Sequence, residues 1–404
     1  MKKTAMMNLA ILCFACLASC NQKSSASRDP AIDRVSPGKA TPQSTATSPA
    51  TSENQQSAQE SMHRTETLQG VNESKLLCGV SPGIKLFDMA QGRGVRVATL
   101  NLYGAFSSTV DSLKSRIDLH AQNIINANAD TIGIQESEDM SPAGMSVEML
   151  ARRLSELSGQ TWYWCFFRSN PHSPLESDTN AGGGGPLSMA MAAVDGNTKK
   201  LSQSSWFMGD SIVSRFPFAS AGARRMARRT LSEYLLCQTE QCRQWAIGES
   251  RVVMRVELIA KGQSLHFFNS HFYTNITSDS AKSQTRQAQE VGTYVNDVLA
   301  KRFAATVLAC DCNSPPEGVV RTEILKLGFL DAWATLNPTV PGFTGGQQLD
   351  AKSKTATSRI DYLYLKGLAP TSAGLMPEAS AATPVAGTIV WPSDHLGVVA
   401  EIKN

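Results

Sequence analysis

From residue 92 onward, short runs whose apolar residues alternate with polar ones give way repeatedly to stretches in which apolar residues recur every three or four positions. The first pattern belongs to strands with two unlike faces, the second to helices with one buried stripe. Strands are predicted at 95–101, 131–136, 162–167, 187–194, 211–214, 251–259, 265–271, 306–310, 360–365 and 396–402. Helices are predicted at 113–129, 147–158, 283–301 and 321–326, the first with Leu113, Ile117, Ala121, Ile124 and Ile125 on one side. That is too strand-rich for a bundle and too helix-poor for a strict β-α-β repeat. These runs are buried best in an α/β (α+β) sandwich of four layers, two packed, mainly antiparallel β-sheets flanked by helices. Stretches 170–185 and 222–244, and the glycine run 182–185, are expected to be loops.

Several strands close on a side chain that binds metal or moves protons. Val97, Thr99 and Asn101 share a face by period two, as do Ile132, Ile134 and Glu136, and also Leu265, Phe267, Asn269 and His271. Asp311 and Asn313 project together just after the run 306–310. One polar residue at a strand end is usually a turn entry. Repeated endings in Asn, Glu, His and Asp-x-Asn point instead to a site, because loops at strand ends are where sites are built.

The amino terminus is different. Lys2 and Lys3 precede an apolar stretch, 5–18, that is short for a membrane span. It ends Leu17-Ala18-Ser19-Cys20, which resembles a bacterial lipobox. Such signals are cut before the cysteine, which then carries the lipid; several acyl chains anchor stably where one is marginal. An ordinary secretory signal cut near a cysteine is the alternative. Residues 21–75 are rich in Ser, Thr, Ala, Gln and Pro and hold no aromatic residue, so they cannot offset their ordering entropy. The expected organisation is a signal at 1–19, a lipidated Cys20 with a disordered tether to 75, and a folded head over 92–404. That places the head outside the cytoplasm on a bacterial membrane, the outer one in a Gram-negative cell.

Composition adds exclusions. With 404 residues, 18% charged and a formal charge of +3, the chain is no charge-driven nucleic-acid coat, although local basic patches remain open. Of nine cysteines, Cys13 and Cys16 leave with the signal and Cys20 is lipidated, so Cys78, Cys165, Cys237, Cys242, Cys310 and Cys312 remain. An even number outside the cytoplasm suggests disulfides, with Cys237 and Cys242 the best local pair. Cys310 and Cys312 lie two apart on one predicted strand, point the same way and are poorly placed to bond each other. A zinc site is the competing reading, but the spacings fit no standard four-ligand pattern.

Taken in order, certain segments resemble the endonuclease/exonuclease/phosphatase superfamily, the deoxyribonuclease-I-like fold. They are Ala98-Thr99-Leu100-Asn101, the stretch 129–136 ending Ile134-Gln135-Glu136, and Gly209-Asp210-Ser211-Ile212 through Pro217. Asn269-Ser270-His271, Asp311-Cys312-Asn313, Arg359-Ile360-Asp361-Tyr362 and Ser393-Asp394-His395 complete the series. The resemblance implies a phosphodiesterase in which Asn101 and Glu136 hold magnesium, or manganese or calcium in its place, and Asp394 adds an oxygen. It implies His395 as general base or protonated phosphate partner, with Asp361 fixing its tautomer. It implies Asp311 orienting the attacking water, Asn313 bonding the phosphate, and His271 stabilising the transition state or protonating the leaving group. Arg251 and Arg286 occupy places where the family often has arginines, which the resemblance leaves open as structural or phosphate-binding residues. Ala309-Cys310 stands where two small residues are usual, Ser270 replaces a threonine, and no partner carboxylate for His271 is identified.

Arg224, Arg225, Arg228 and Arg229 form a basic cluster able to grip a polyanion or merely to face solvent. The leading expectation is a metal-dependent nuclease, with nucleic acid favoured over phospholipid, attached to a membrane through its lipid and without a protein partner. A sphingomyelinase-like or phosphoinositide-like lipid phosphodiesterase is the second enzyme reading. A catalytically silent binding lipoprotein is the rival from another class, and it predicts lost reactive residues.

Overall fold

Residues 76–88, 93–103, 110–139, 144–169, 207–226, 236, 251–260, 262–275, 279–299, 304–351, 353–376 and 391–403 are described by a computed structural model, all within the unit Thr51–Asn404. The signal, the tether, Cys20, the predicted strand at 187–194, Cys237, Cys242, Arg228 and Arg229 lie outside the described residues. The elements begin β1 (Leu76–Ser81), β2 (Val95–Asn101), α1 (Val110–Asn126), β3 (Thr131–Asp139), α2 (Ser146–Ser158), β4 (Trp162–Arg168), β5 (Phe207–Ser214), β6 (Phe218–Arg225) and β7 (Val252–Ala260). They continue β8 (Gln263–His271), α3 (Ser280–Leu299), β9 (Ala305–Asp311), α4 (Val319–Lys326), β10 (Leu330–Asp331), α5 (Ala332–Leu336), β11 (Asp361–Lys366), β12 (Ala369–Met376) and β13 (Gly397–Lys403).

The strands form a seven-stranded sheet, β1-β4-β5-β3-β2-β13-β12, and a six-stranded sheet, β10-β11-β9-β8-β7-β6. Each holds one parallel pair, β2 with β3 and β8 with β9, and every other pairing is antiparallel. A parallel pair needs a crossover rather than a hairpin, and α1 and α3 supply it. The consequence is directional. β2 and β8 end at Asn101 and His271, β9 ends at Asp311, and the antiparallel neighbour of β9 begins at Asp361, its register partner.

Alternation sorts the side chains into three cores. Val97, Cys165 and Ile212 of the first sheet meet Met254, Phe267, Val307 and Leu363 of the second in the middle of the sandwich. Ala98, Leu100, Ile132 and Ile134 face outward onto Ile117 and Ala121 of α1 and Leu150 and Leu154 of α2. Phe268, Leu308 and Tyr362 face the other way, onto Ala288 and Val291 of α3 and Ile324 of α4. The four-layer sandwich is therefore observed.

The strands not anticipated are β1, β6, β10 and β12, and these are the four sheet edges. An edge strand has one neighbour and incomplete cover, so it has no need of strict apolar alternation. β12, for example, reads Ala-Pro-Thr-Ser-Ala-Gly-Leu-Met and is mostly exposed or half-buried. β6 also takes the first part of the expected loop at 222–244, and β1 brings the sheet upstream of residue 92.

Two disulfides are present among the described residues. Cys78 and Cys165 face each other across β1 and β4, with Cα atoms 4.0 Å apart. Cys310 and Cys312 are also bonded, which corrects the expectation from strand spacing. The strand stops at Asp311, so Cys312 no longer belongs to the extended run. Its Cα comes to 5.2 Å from that of Cys310, inside the range a disulfide spans and short of the roughly 6.8 Å advance of two extended residues.

Candidate active site

Glu136 reaches the site by a route that period two does not give. Ile132 and Ile134 point into the helix layer, whereas Gln135 points between the sheets, its Nε2 donating to Asn269 Oδ1 at 2.6 Å. Strict alternation would send Glu136 outward with the isoleucines. Instead the register of β3 against β5 shifts between Ile134 and Ser137, and Glu136 sits at φ 54° in the left-handed region. A bulge re-aims a side chain in this way, and positive φ in a non-glycine residue is the conformational cost of it. Shared facing with Ile132 and Ile134 is thereby corrected, while the residue itself arrives where the chemistry needs it.

Around it the polar strand ends converge. Asn101 Nδ2 donates to Glu136 Oε1 at 3.2 Å and to Asp311 Oδ2 at 3.0 Å, while its Oδ1 accepts the Tyr103 backbone N–H at 2.8 Å. In this orientation Asn101 bridges, through Nδ2, the two acids Glu136 and Asp311. Asp311 Oδ2 lies 3.3 Å from His271 Nε2 and 3.8 Å from His395 Nε2. Asn313, at φ 45°, closes a turn through its N–H on Asp311 Oδ1 at 3.0 Å. Its Nδ2 donates to Phe272 O at 3.0 Å and lies 2.9 Å from His271 Nε2. Asn313 therefore lies against the His271 ring, which brings together two residues expected to act on the phosphate.

His395 Nδ1 donates to Asp361 Oδ2 at 2.9 Å, and both backbone N–H groups at Ile360 and Asp361 rest on the Thr344 hydroxyl. Asp394 Oδ1 stands 4.0 Å from His395 Nε2, with 39% of its side chain exposed. The two imidazoles are pushed in opposite directions. Burial pulls His395 down, but the carboxylates of Asp361, Asp311 and Asp394 outweigh it and hold its pKa well above the ordinary histidine range. Burial, the Arg251 guanidinium and the charge on His395 keep His271 well below that range. The surroundings thus favour the protonated form of His395 and the neutral form of His271.

The acids are short of cations. At the far end of β3, Asp130 is fully buried but is met by Arg93 at 3.0 Å, by Arg215 at 3.4 Å and by the Arg96 N–H at 2.9 Å. Among the described residues no lysine or arginine makes an ion pair with Glu136, Asp311, Asp361 or Asp394, and the buried Glu136 Oε2 and Asp361 Oδ1 have no hydrogen-bond partner. Burial raises the pKa of Glu136, Asp311 and Asp394. Clustered hard oxygens with an orphaned buried lone pair fit a divalent cation. Asp311, Asp361 and His395 also form an acidic group with ligand atoms within 4.8 Å of one another. In that group Asp361 Oδ2 already holds His395 Nδ1, whereas Glu136 Oε2 has no hydrogen-bond partner and the Asp394 side chain is partly exposed.

No protein-family model matches the chain, and no curated protein is similar to it in sequence. Solved structures do match in shape. An endonuclease/exonuclease/phosphatase family protein from Leptotrichia buccalis gives a TM-score of 0.50 at 15% identity, covering 77% of this chain and 100% of the other. A mannosyl-6-phosphatase from Bacteroides thetaiotaomicron gives 0.50 at 16% identity, with 77% and 100% covered. The fold is that of the endonuclease/exonuclease/phosphatase proteins.

Within this endonuclease/exonuclease/phosphatase fold the remaining sequence candidates separate. Arg251 is 3% exposed, stacks on Tyr273, and its charge is felt by Glu136, Asp210 and His271. Arg286 is half-buried on α3, between Gln284 and Gln287, which tie the loops at Tyr273 and Asn313. Arg224 pairs with Asp297 at 2.8 Å and lies over Tyr294; Arg225 donates to Ser169 O and lies over Phe167. Both therefore have partners within the head.

Two groups escaped the sequence reading. Asp210 accepts the His271 backbone N–H, and burial, partly offset by Arg251, pushes its pKa up to about 8. It had a signal, being the one acid in a strand that is otherwise apolar and small. Arg116 had none beyond being a polar residue on a helix. It is 3% exposed, and its Nη1 donates to Leu102 O at 2.9 Å, Tyr103 O at 2.8 Å and Pro392 O at 3.5 Å. It therefore clasps the loop after Asn101 to the loop that leads to Asp394 and His395. Arg116→Met is expected to cost about 1–3 kcal/mol for each carbonyl left without a donor. Displacement of the loops is expected to lower kcat by about 10- to 100-fold, with Arg116→Lys intermediate in both. Urea unfolding beside steady-state kinetics measures the two effects separately.

Proposed function

We propose that this chain is a divalent-metal-dependent phosphoester hydrolase that cleaves a phosphodiester by in-line attack of water, with nucleic acid as the substrate favoured first. The observation that carries the reading is the placement of His395 and His271 on either side of Asp311, beside acids that have no lysine or arginine ion pair among the described residues. A divalent ion on Glu136 and Asp394, magnesium above all, would neutralise charge on the phosphoryl oxygens. Asp311 has the position to orient water and accept its proton, since Asn101 holds one of its oxygens and the Asn313 N–H the other. His395, fixed by Asp361, offers its Nε2 proton to a phosphoryl oxygen. Asn313 lies against the His271 ring, Asp210 accepts the backbone N–H of the same residue, and His271 lines the other side. The presence of every reactive group weighs against a silent binding module.

We also propose that the head works outside the cytoplasm on a lipid anchor. The lipobox-like Leu17-Ala18-Ser19-Cys20 and the tether support this, as do two disulfides in the head.

The test offers the full chain, purified in detergent, supercoiled plasmid, sphingomyelin, a chromogenic diester and mannose 6-phosphate. Each is run with magnesium, with chelator, and with His395→Ala. Magnesium-dependent nicking of plasmid that is lost in the variant is the expected result. Turnover of sphingomyelin or of the sugar phosphate alone would keep the chemistry and replace the substrate. No metal-dependent turnover of any of the four would sink the hydrolase.

A further inference from the structure

Asp311 stands between two cysteines that are bonded to each other. Cys310 and Cys312 are both fully buried and belong to the outer core with Phe268, Val320, Ile324 and Tyr362. The Asp311 carboxylate projects from the other side of the backbone, toward Asn101, His271 and His395. The crosslink thus lies directly beneath the group that orients water, on the face away from it. Beyond it the chain leaves its strand at once: Cys312 N–H donates to Ile360 O at 2.8 Å, and Asn313 takes up φ 45°.

We infer that the Cys310–Cys312 bond is a positioning crosslink for Asp311 and Asn313, so that turnover depends on its being oxidised; this rests on the hydrolase reading of the site. A ring of three residues removes little freedom from the unfolded chain, whereas the Cys78–Cys165 bond closes a separation of 87 residues and removes far more. The short ring therefore has little to give to global stability. What it fixes is local: the contraction to 5.2 Å between the flanking Cα atoms, which sets the backbone of Asp311 and the entry to the Asn313 turn. Asn313 in turn holds His271, so the crosslink acts on three groups of the site through one segment. Reduction breaks the S–S bond with two electrons and two protons from an added dithiol, which becomes the oxidised partner.

The experiment uses the full chain with magnesium and the substrate that wild type turns over, and reads kcat, KM and melting temperature. The proteins are wild type before and after dithiothreitol, with thiols counted by alkylation and mass, the double variant Cys310→Ala with Cys312→Ala, and the double variant Cys78→Ala with Cys165→Ala. Loss of the short crosslink is expected to lower kcat by about 10- to 100-fold, the scale of a misplaced reacting group, with KM and melting temperature little changed. Dithiothreitol should add nothing further to that variant. Loss of the long crosslink should lower the melting temperature, leave kcat near wild type and preserve the sensitivity to dithiothreitol. The inference is overturned if the Cys310/Cys312 variant keeps kcat within twofold of wild type, or if its kcat and melting temperature fall together. If that variant does not fold, reduced wild type with an unchanged kcat and alkylated Cys310 and Cys312 overturns it equally. Wild type without metal-dependent turnover removes the hydrolase reading and this inference with it.

Discussion

On the proposed metal-dependent mechanism, Glu136→Gln will reduce turnover at least about a hundredfold at saturating substrate, because a site that loses its main charged oxygen for the ion would forfeit several kcal/mol of transition-state stabilisation. The magnesium concentration for half-maximal rate will rise in parallel. The same substitution should raise the melting temperature of the metal-free protein by a few degrees. Glu136 is raised in pKa by burial, with Asp394 adding to the rise, and its Oε2 has no hydrogen-bond partner among the described residues. Removing that charge relieves a burial cost that His395, Asn101 and Arg251 offset only in part. Kinetics across a magnesium titration, beside calorimetry in chelator, give both signs. A variant that loses activity and stability together would show that Glu136 is a structural acid.

Asp361→Asn will lower kcat by about 10²- to 10⁴-fold, the span of positioned acid–base catalysis. It will also move the pH profile in a defined direction. Asp361 is the strongest of the carboxylates that hold His395 protonated against the pull of burial. Once it is neutral, the imidazole gives up its proton at lower pH, so the alkaline limb of activity shifts toward neutrality. A loss of rate with the limb unmoved would mean that His395 does not act as the charged group. Asp311→Asn serves as the contrast, since it removes the proton acceptor while leaving the 2.9 Å His395–Asp361 bond in place.

Much of this was legible in the chain because period two survives in the central strands. β2, β8 and β9 are covered on both faces, so apolar residues dominate each until it leaves the sandwich, and the polar residues at their ends, Asn101, His271 and Asp311, mark that exit. The edges were illegible for the converse reason, since β1 and β12 have too little cover to need a pattern. Glu136 was found for a reason the backbone does not honour: it lies after an apolar run but reaches the site only through a bulge at positive φ. The Cys310–Cys312 bond was misjudged because strand geometry was extended one residue past its end. Arg116 carried no mark, because a buried arginine that holds backbone carbonyls looks in sequence like any exposed helix position.

The last strand of the polypeptide, β13, lies beside one of the first, β2, and the turn that leads into it carries Asp394 and His395. Removing the stretch from residue 393 to 403 would therefore take β13 from its place beside β2 and carry off Asp394 and His395, while Glu136, Asp311 and both helix-covered faces stay behind, so the candidate site is expected to be lost by a cut that leaves most of the core untouched.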